Sequence, residues 1–180
     1  MHFTRYGLTR TLIRERNRAS SCCYAKRMPQ SPQPCSYQTP WGPITLSLSG
    51  GLCHEISFDA SDAPPCPEIH PATQWLNAYF SGDELPVLPF LAKARTPFQH
   101  RLRHALLAIP MGEVRTYGEI ARALSSGPRA VGQALGANPL PILIPCHRVV
   151  AASGLGGFGG GLSWKKRLLD LERVTLPGNP

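Results

Sequence analysis

The stretch GEVRTYGEIARALSSGPRAVGQALGANPLPILIPCHRVV, residues 112–150 of a 180-residue chain, decides the reading of the fold. A short helix is predicted from Thr116 to Leu124, Ser125-Ser126-Gly127 reads as a turn, and Pro128 opens a second helix through Leu135. Helix, three-residue turn with glycine, helix is the helix-turn-helix pattern, which many helical hairpins share without touching DNA. The second helix, Arg129-Ala130-Val131-Gly132-Gln133-Ala134-Leu135-Gly136, carries almost no bulk. Such a surface suits close packing in a core. It equally suits entry into a narrow groove, with Arg129 inserted into the duplex. Beyond it, Ile142-Leu143-Ile144 lies between Pro141 and Pro145 and reads as a buried strand that delivers Cys146-His147-Arg148 at its end. A lone cysteine is usually a small buried hydrophobe. Beside His147 and Arg148, which can lower a thiol pKa, Cys146 reads instead as a nucleophile.

Upstream of this stretch, Thr96-Pro97 is an N-cap followed by proline at the first helical position. Phe98, Leu102, Ala105, Leu106 and Ile109 then recur on one helical face. Downstream, Gly154, Gly156-Gly157 and Gly159-Gly160-Gly161 surround Phe158. The run is either a linker or a pocket wall where backbone comes close to a flat ligand. It is no phosphate cradle, because the G-x-x-x-x-G-K-[ST] order is missing. Ser163 is read as the cap of a last helix whose stripe is Trp164, Leu168 and Leu171. Glu172 lies on the same side, either turned to solvent or paired with His147.

Toward the N-terminus, Ile44, Leu46 and Leu48, then Gly50-Gly51, then Leu52, Ile56 and Phe58 read as a hairpin. Ala72 to Phe80 is a helix with Trp75, Leu76, Tyr79 and Phe80 on one face, stopped by Gly82. Leu85 to Ala94 is a linker. Residues 1–34 are expected to be a flexible basic extension outside the fold, 35–94 an N-terminal structural domain, and 95–176 the domain that carries the chemistry. For residues 1–27 a nucleic-acid-binding arm competes with an organelle address and with translated sequence upstream of a start at Met28.

Composition narrows the function. No run approaches the roughly 20 apolar residues of a membrane helix. Residues 1–34 carry seven bases and one acid, 35–94 one base and six acids, and 95–180 eleven bases and four acids, for a net charge of +8. An acidic front half and a basic back half point to a polyanion, nucleic acid first, meeting the C-terminal part. Six cysteines are too few for a disulfide scaffold and their spacings fit no zinc template, so a reducing compartment and no metal site are expected.

Gly112-Glu113-Val114-Arg115-Thr116-Tyr117-Gly118-Glu119-Ile120-Ala121, Pro128 to Gly132, Asn138-Pro139 and IPCHRVV at 144–150 together resemble the O6-alkylguanine-DNA alkyltransferases, or methylated-DNA-protein-cysteine methyltransferases. The resemblance is strong from Thr96 to Glu172 and looser from Cys35 to Phe90. It implies an α/β (α+β) fold, with a small ribonuclease-H-like sheet-plus-helix N-terminal domain and a winged-helix-like C-terminal domain holding the helix-turn-helix. It also implies a monomeric, single-turnover repair protein, without cofactor, in the cytoplasm, or in the nucleus of a eukaryote. Its partner would be double-stranded DNA containing alkylated guanine, with O4-alkylthymine as a further candidate substrate.

By the same resemblance Cys146 accepts the alkyl group, His147 deprotonates it through a water, and Glu172 orients the imidazole. Tyr117, with Lys165 nearby, stabilises the leaving guanine. Arg129 fills the gap left by the flipped base, and Tyr117 pushes on its phosphate. Thr116, Ala130, Gly132 and Gln133 complete the DNA surface. Asn138 holds the turn before the active-site strand, Pro141, Phe158, Gly159 and Gly160 wall the pocket, and the carbonyls of Cys146 and Val149 accept from the guanine amino group. No metal ligand set carries over. Two readings from other classes stand beside this one. One is a lesion sensor that does not react, which Cys146 argues against. The other is a helix-turn-helix regulator, for which Arg129 and Gln133 are the only polar readers available.

Overall fold

The computed structural model describes residues 31–59, 62–88 and 91–174. The expectations for the basic extension therefore fall, up to residue 30, outside the described residues. An antiparallel meander opens the fold: β1 (Gln33–Thr39), β2 (Gly42–Ser49) and β3 (Leu52–Ser57), in that order. Gly50 and Gly51, with φ of 53° and 79°, form the two-residue turn between β2 and β3, where both positions need a left-handed backbone. The alternating residues Cys35 and Tyr37 of β1 and Ile44, Leu46 and Leu48 of β2 face inward and are buried. β1 was absent from the sequence reading, which began patterned structure after Pro34. Its prolines and polar residues hide a strand whose register, Cys35 opposite Leu46 and Tyr37 opposite Ile44, comes from β2.

Helix α1 (Pro71–Ser81) covers the inner face of the sheet with Trp75, Leu76 and Tyr79. His70 caps its start by accepting from the Ala72 N–H, and Gly82, at φ 75°, closes its end. Helix α2 (Pro97–Leu107) starts as the sequence predicts, with the Thr96 side chain accepting from the Gln99 N–H. Helices α3 (Tyr117–Ala123) and α4 (Pro128–Gly136) form the helix-turn-helix. Thr116 and Glu119 make a reciprocal capping box at the start of α3. A two-residue parallel ladder, β4 (Arg115–Thr116) on β5 (Val149–Val150), ties the entrance of the helix-turn-helix to the segment after Cys146. Helix α5 (Leu162–Leu171) closes the fold.

Three local expectations change. Ile142–Ile144 is a tight buried turn and not a strand: Ile142 sits at φ 73°, and Pro141 bridges to Ile144. Ser163 does not cap α5. Gly161 holds the N-cap position without a side-chain bond, and Lys165 joins Leu168 on the buried face. Cys35 and Cys66 are joined in a disulfide, which their spacing in the sequence does not reveal. The bond lies where the Cys66 N–H donates to the Ser36 carbonyl and the Ser36 N–H to the Pro64 carbonyl, so the connector before α1 is pinned to β1. Cys53 and Cys146 are free thiols.

One core runs through both halves. The Ile56 N–H donates to the Pro139 carbonyl, and Trp41 and Phe58 meet Trp164 edge-on and tilted, at 5.5 and 4.8 Å between centroids. Among the described residues no helix is long and apolar enough to cross a membrane. Because the disulfide closes a 31-residue separation, its reduction is expected to lower stability by roughly 2–4 kcal/mol. Thermal melts with and without reductant, with the Cys35→Ser/Cys66→Ser double variant as control, measure this, and the variant should show no reductant effect.

Candidate active site

Cys146 is placed by irregular backbone held tightly. Pro145, at φ −77° and ψ 63°, is the centre of an inverse γ-turn in which the Cys146 N–H donates to the Ile144 carbonyl at 2.7 Å. Residues Cys146–Arg148 then form a single 3-10 turn leading into β5. Asn138 braces this bend from the far side. Its amide donates to the Ile144 carbonyl and to Cys146 Sγ at 3.2 and 3.1 Å, and its oxygen accepts from the Leu140 N–H.

The thiol is 7% exposed, at the wall of a cleft of about 330 Å³. Asn138, Pro141, Phe158, Gly159 and Gly160 of the expected pocket line it together with Cys146. The opposite wall, Glu55 to Asp59 of β3 and its exit, was not foreseen, because nothing in a hairpin's sequence says what faces it. Phe58 lies so close to Gly160 that a Cβ there would overlap its ring, which is why this position of the glycine run admits no side chain. Val149 is fully buried, and its carbonyl accepts from Lys165 at 2.6 Å; the Cys146 carbonyl accepts from the Val149 N–H. Each carbonyl keeps one lone pair for a further donor.

Behind Cys146 is a buried polar cluster. Glu172 Oε1 accepts from His147 Nε2 at 2.8 Å, from Arg148 Nη2 at 2.9 Å and from the Tyr79 hydroxyl at 2.7 Å, while Oε2 accepts from Arg148 Nε at 2.8 Å. Burial opposes the charge on Glu172, but hydrogen bonds from His147 and Arg148 outweigh it and hold the carboxyl at about 2. A carboxylate only accepts, so His147 carries its proton on Nε2. Burial pushes His147 below its usual range, so the ring is neutral near pH 7. Its Nδ1, buried and without a protein partner, is left as a free base.

Burial pushes the Cys146 thiol up, against the Asn138 hydrogen bond and the Lys165 charge. The expected lowering by Arg148 does not arise, since Arg148 is turned to Glu172 and to the Ile109 carbonyl. A thiol held protonated in this way needs a base to react, and His147 is adjacent. Lys165, fully buried, pairs with no carboxylate among the described residues; it donates to the Val149 and Gly157 carbonyls, and burial brings it to about 8. Tyr117 also donates to the Gly157 carbonyl, at 3.4 Å, so Tyr117 and Lys165 converge on one loop residue.

On the outer face, Arg129, Ala130 and Gln133 of α4 are exposed. Gly132 faces the Tyr117 ring, 3.9 Å from where a Cβ would lie. Thr116 differs from the expectation: its hydroxyl is taken up by the capping box, accepting from the Glu119 N–H and donating to Glu119 Oε2. Among the described residues no group of three or more His, Cys, Asp or Glu is arranged to hold a metal.

The family described as 6-O-methylguanine DNA methyltransferase, DNA binding domain, matches residues 97–174. The Mycobacterium tuberculosis methylated-DNA–protein-cysteine methyltransferase is 40% identical over 152 residues, covering 78% of this chain and 92% of that protein. The enzyme of the same name from Archaeoglobus fulgidus is 40% identical over 147 residues, covering 77% and 99%. The solved structure of Mycobacterium tuberculosis OGT in complex with DNA superposes with a TM-score of 0.67 at 41% identity, covering 78% of this chain and 92% of that one.

The carboxylate cluster makes a prediction about pH. Because the folded Glu172 titrates at about 2, against 4.5 for an ordinary glutamate, its ionic form favours the folded state. That contribution is complete above pH 4.5 and is lost as pH falls toward 2. Urea midpoints measured down this range should fall for the parent, and the Glu172→Gln variant should be less stable at neutral pH but lose less on acidification.

Proposed function

This chain belongs to the methylated-DNA–protein-cysteine methyltransferases, and from that premise we propose that Cys146 takes the alkyl group from O6 of guanine in duplex DNA. The protein repairs DNA by direct reversal and is consumed as it does so. The observation that carries the assignment to Cys146 is the buried relay behind it. Glu172 holds His147 Nε2–H at 2.8 Å and leaves Nδ1 as a base on the residue that follows Cys146, whose thiol burial keeps protonated.

In this reading Cys146 passes its proton to His147 through a bridging water, and the thiolate attacks the alkyl carbon. The S–C bond forms as the C–O6 bond breaks, and the electron pair leaves on guanine. Tyr117, with Lys165 across the shared Gly157 carbonyl, stabilises that anion at the N3 edge until it takes up a proton. The product is a thioether, which has no easy route back to the thiol, so each molecule acts once. No cofactor enters any of these steps.

A base inside a duplex cannot reach a cleft behind the helix-turn-helix, so the target nucleotide must leave the stack. The exposed Arg129 at the start of α4 is placed to fill the gap. Ala130, Gly132 and Gln133 give the slim surface that a minor groove accepts. The Thr116 hydroxyl, occupied by its cap, contributes position more than contact. The acceptor domain extends over 95–176 and the structural domain over 35–94. We place the protein as a monomer where the DNA is, in the cytoplasm or in a eukaryotic nucleus. The non-reacting sensor lacks support, since the acceptor thiol is present and faces the cleft.

Intact-protein mass after incubation with a duplex carrying one O6-methylguanine tests the assignment. The parent should gain a single methyl, about 14 Da, in one-to-one stoichiometry and keep it, whereas Cys146→Ala should gain nothing. A parent that binds the lesion without a mass increase would overturn the reading in favour of a sensor.

A further inference from the structure

We propose that Tyr79, in α1 of the N-terminal half, is a positioning residue for alkyl transfer: its hydroxyl fixes the Glu172 oxygen that holds His147. It thereby sets how the imidazole is aimed and how readily it takes a proton. The inference rests on the proposed chemistry at Cys146 and gives the N-terminal half a direct part in it.

The geometry begins with the ring. Tyr79 is fully buried, stacked on Trp75 with centroids 5.3 Å apart and planes 10° apart, and met edge-on by Phe80 at 5.2 Å. These contacts hold the phenol in place without help from its hydroxyl. The hydroxyl nonetheless reaches 93 residues along the chain to Glu172 Oε1, at 2.7 Å. Since a carboxylate cannot donate, the phenol must. Burial and the neighbouring Glu172 charge both raise its pKa, so it remains a donor at every working pH.

The oxygen it chooses matters. Oε1 is also the acceptor for His147 Nε2 and Arg148 Nη2, whereas Oε2 takes, among the described residues, only Arg148 Nε. Donors sharing one oxygen compete for its charge, so each additional donor leaves less for the others. With Tyr79 in place Glu172 supports the neutral imidazole and anchors its proton on Nε2, but over-stabilises the imidazolium less. Without Tyr79 the same oxygen draws harder on His147, favours its charged form, and lets the carboxylate turn. The charged and titratable groups around this ring are Lys165 from α5, Glu172 just past its end, Cys146 and Arg148 from its own turn, and, through Glu172, Tyr79 from α1. Of these, Tyr79 alone comes from the N-terminal half.

Tyr79→Phe in the full chain keeps the stacking and deletes the bond. Single-turnover methyl transfer from a duplex containing O6-methylguanine, followed across the acid and neutral range, should show two changes. The rate constant at neutral pH should fall about 3- to 10-fold, and the acid limb, where His147 becomes protonated, should move up by about 0.5–1 pH unit. The loss at neutral pH comes from an imidazole no longer held in aim, and the moved acid limb from a more basic His147, which is charged over more of the acid range and there cannot take the thiol proton. Rate constants are used because a folding defect lowers the reacting fraction and not the rate of the molecules that react.

Leu76→Ala loosens the packing of the same helix without touching Oε1 or the stacked ring, and should lower the melting temperature while leaving rate constant and acid limb unchanged. The 15N shifts of His147 titrated in parent and in Tyr79→Phe give an independent reading, with its pKa higher in the variant. Unchanged rate and acid limb in Tyr79→Phe, or the same shift in Leu76→Ala, would overturn the proposal. If the parent itself transfers nothing, the alkyl-transfer reading falls, and an unchanged His147 titration would remove the Tyr79 coupling as well.

Discussion

A carboxylate with no access to water must be surrounded by donors or it will not stay charged, and Glu172 is where this molecule meets that requirement. It sits just past the end of α5, 5% exposed, and accepts four hydrogen bonds from three side chains in two separate parts of the chain. Arg148 uses its remaining Nη1 to take the Ile109 carbonyl, beyond the end of α2, at 2.6 Å. One anion therefore ties together α1, the segment after α2, the turn that carries Cys146 and the end of α5. Losing any donor leaves a charge or a dipole stranded in the core, so these elements hold their positions jointly.

That constraint also settles what kind of cysteine this is. Burial raises the thiol, and the two groups that oppose it, the Asn138 amide and the Lys165 ammonium, do not prevail. A resident thiolate would be open to oxidants and stray electrophiles at all times. A buried thiol with a neutral imidazole beside it reacts only when something suitable enters the cleft. Lys165 serves this arrangement through its stem and its hydrogen bonds: by holding the Val149 and Gly157 carbonyls it fixes the glycine loop over the cleft. Two of the loop's glycines follow from what lies against them, the Tyr117 ring at Gly156 and the Phe58 ring at Gly160.

Legibility in the sequence follows the locality of the forces. Helix α2 and the helix-turn-helix were readable because their signals are local: the Thr96 cap and Pro97 for the first, Pro128 and the glycine turn for the second. The Gly50-Gly51 hairpin was readable for the same reason. β1 was not, since its residues acquire strand character only from pairing with β2, and the Cys35–Cys66 bond depends on a connector whose path no local pattern states. His147 and Glu172 could be suspected as partners from an acid on an apolar helical face. Tyr79 could not. Its place on that face of α1 was evident, but a helical wheel does not say where a phenol hydroxyl ends 93 residues away.

The misread turn at Ile142–Ile144 is the informative failure. An apolar run between two prolines is expected to be extended, and a β-branched residue at positive φ is among the least favourable local states. Here it is held by bonds that leave little unsatisfied: Ile144 N–H to the Leu140 carbonyl, Leu140 N–H to Asn138, Asn138 to the Ile144 carbonyl, and β3 donating through Ile56 to Pro139. Irregular backbone can be buried only with such substitutes for a ladder. A regular strand would have sent residue 146 outward along a straight path; the bend brings its sulfur to the cleft wall with His147 tucked behind it. Local preference was overridden at the one place where a thiol, a base and an open cleft had to meet, and the cost falls on the packing of both halves.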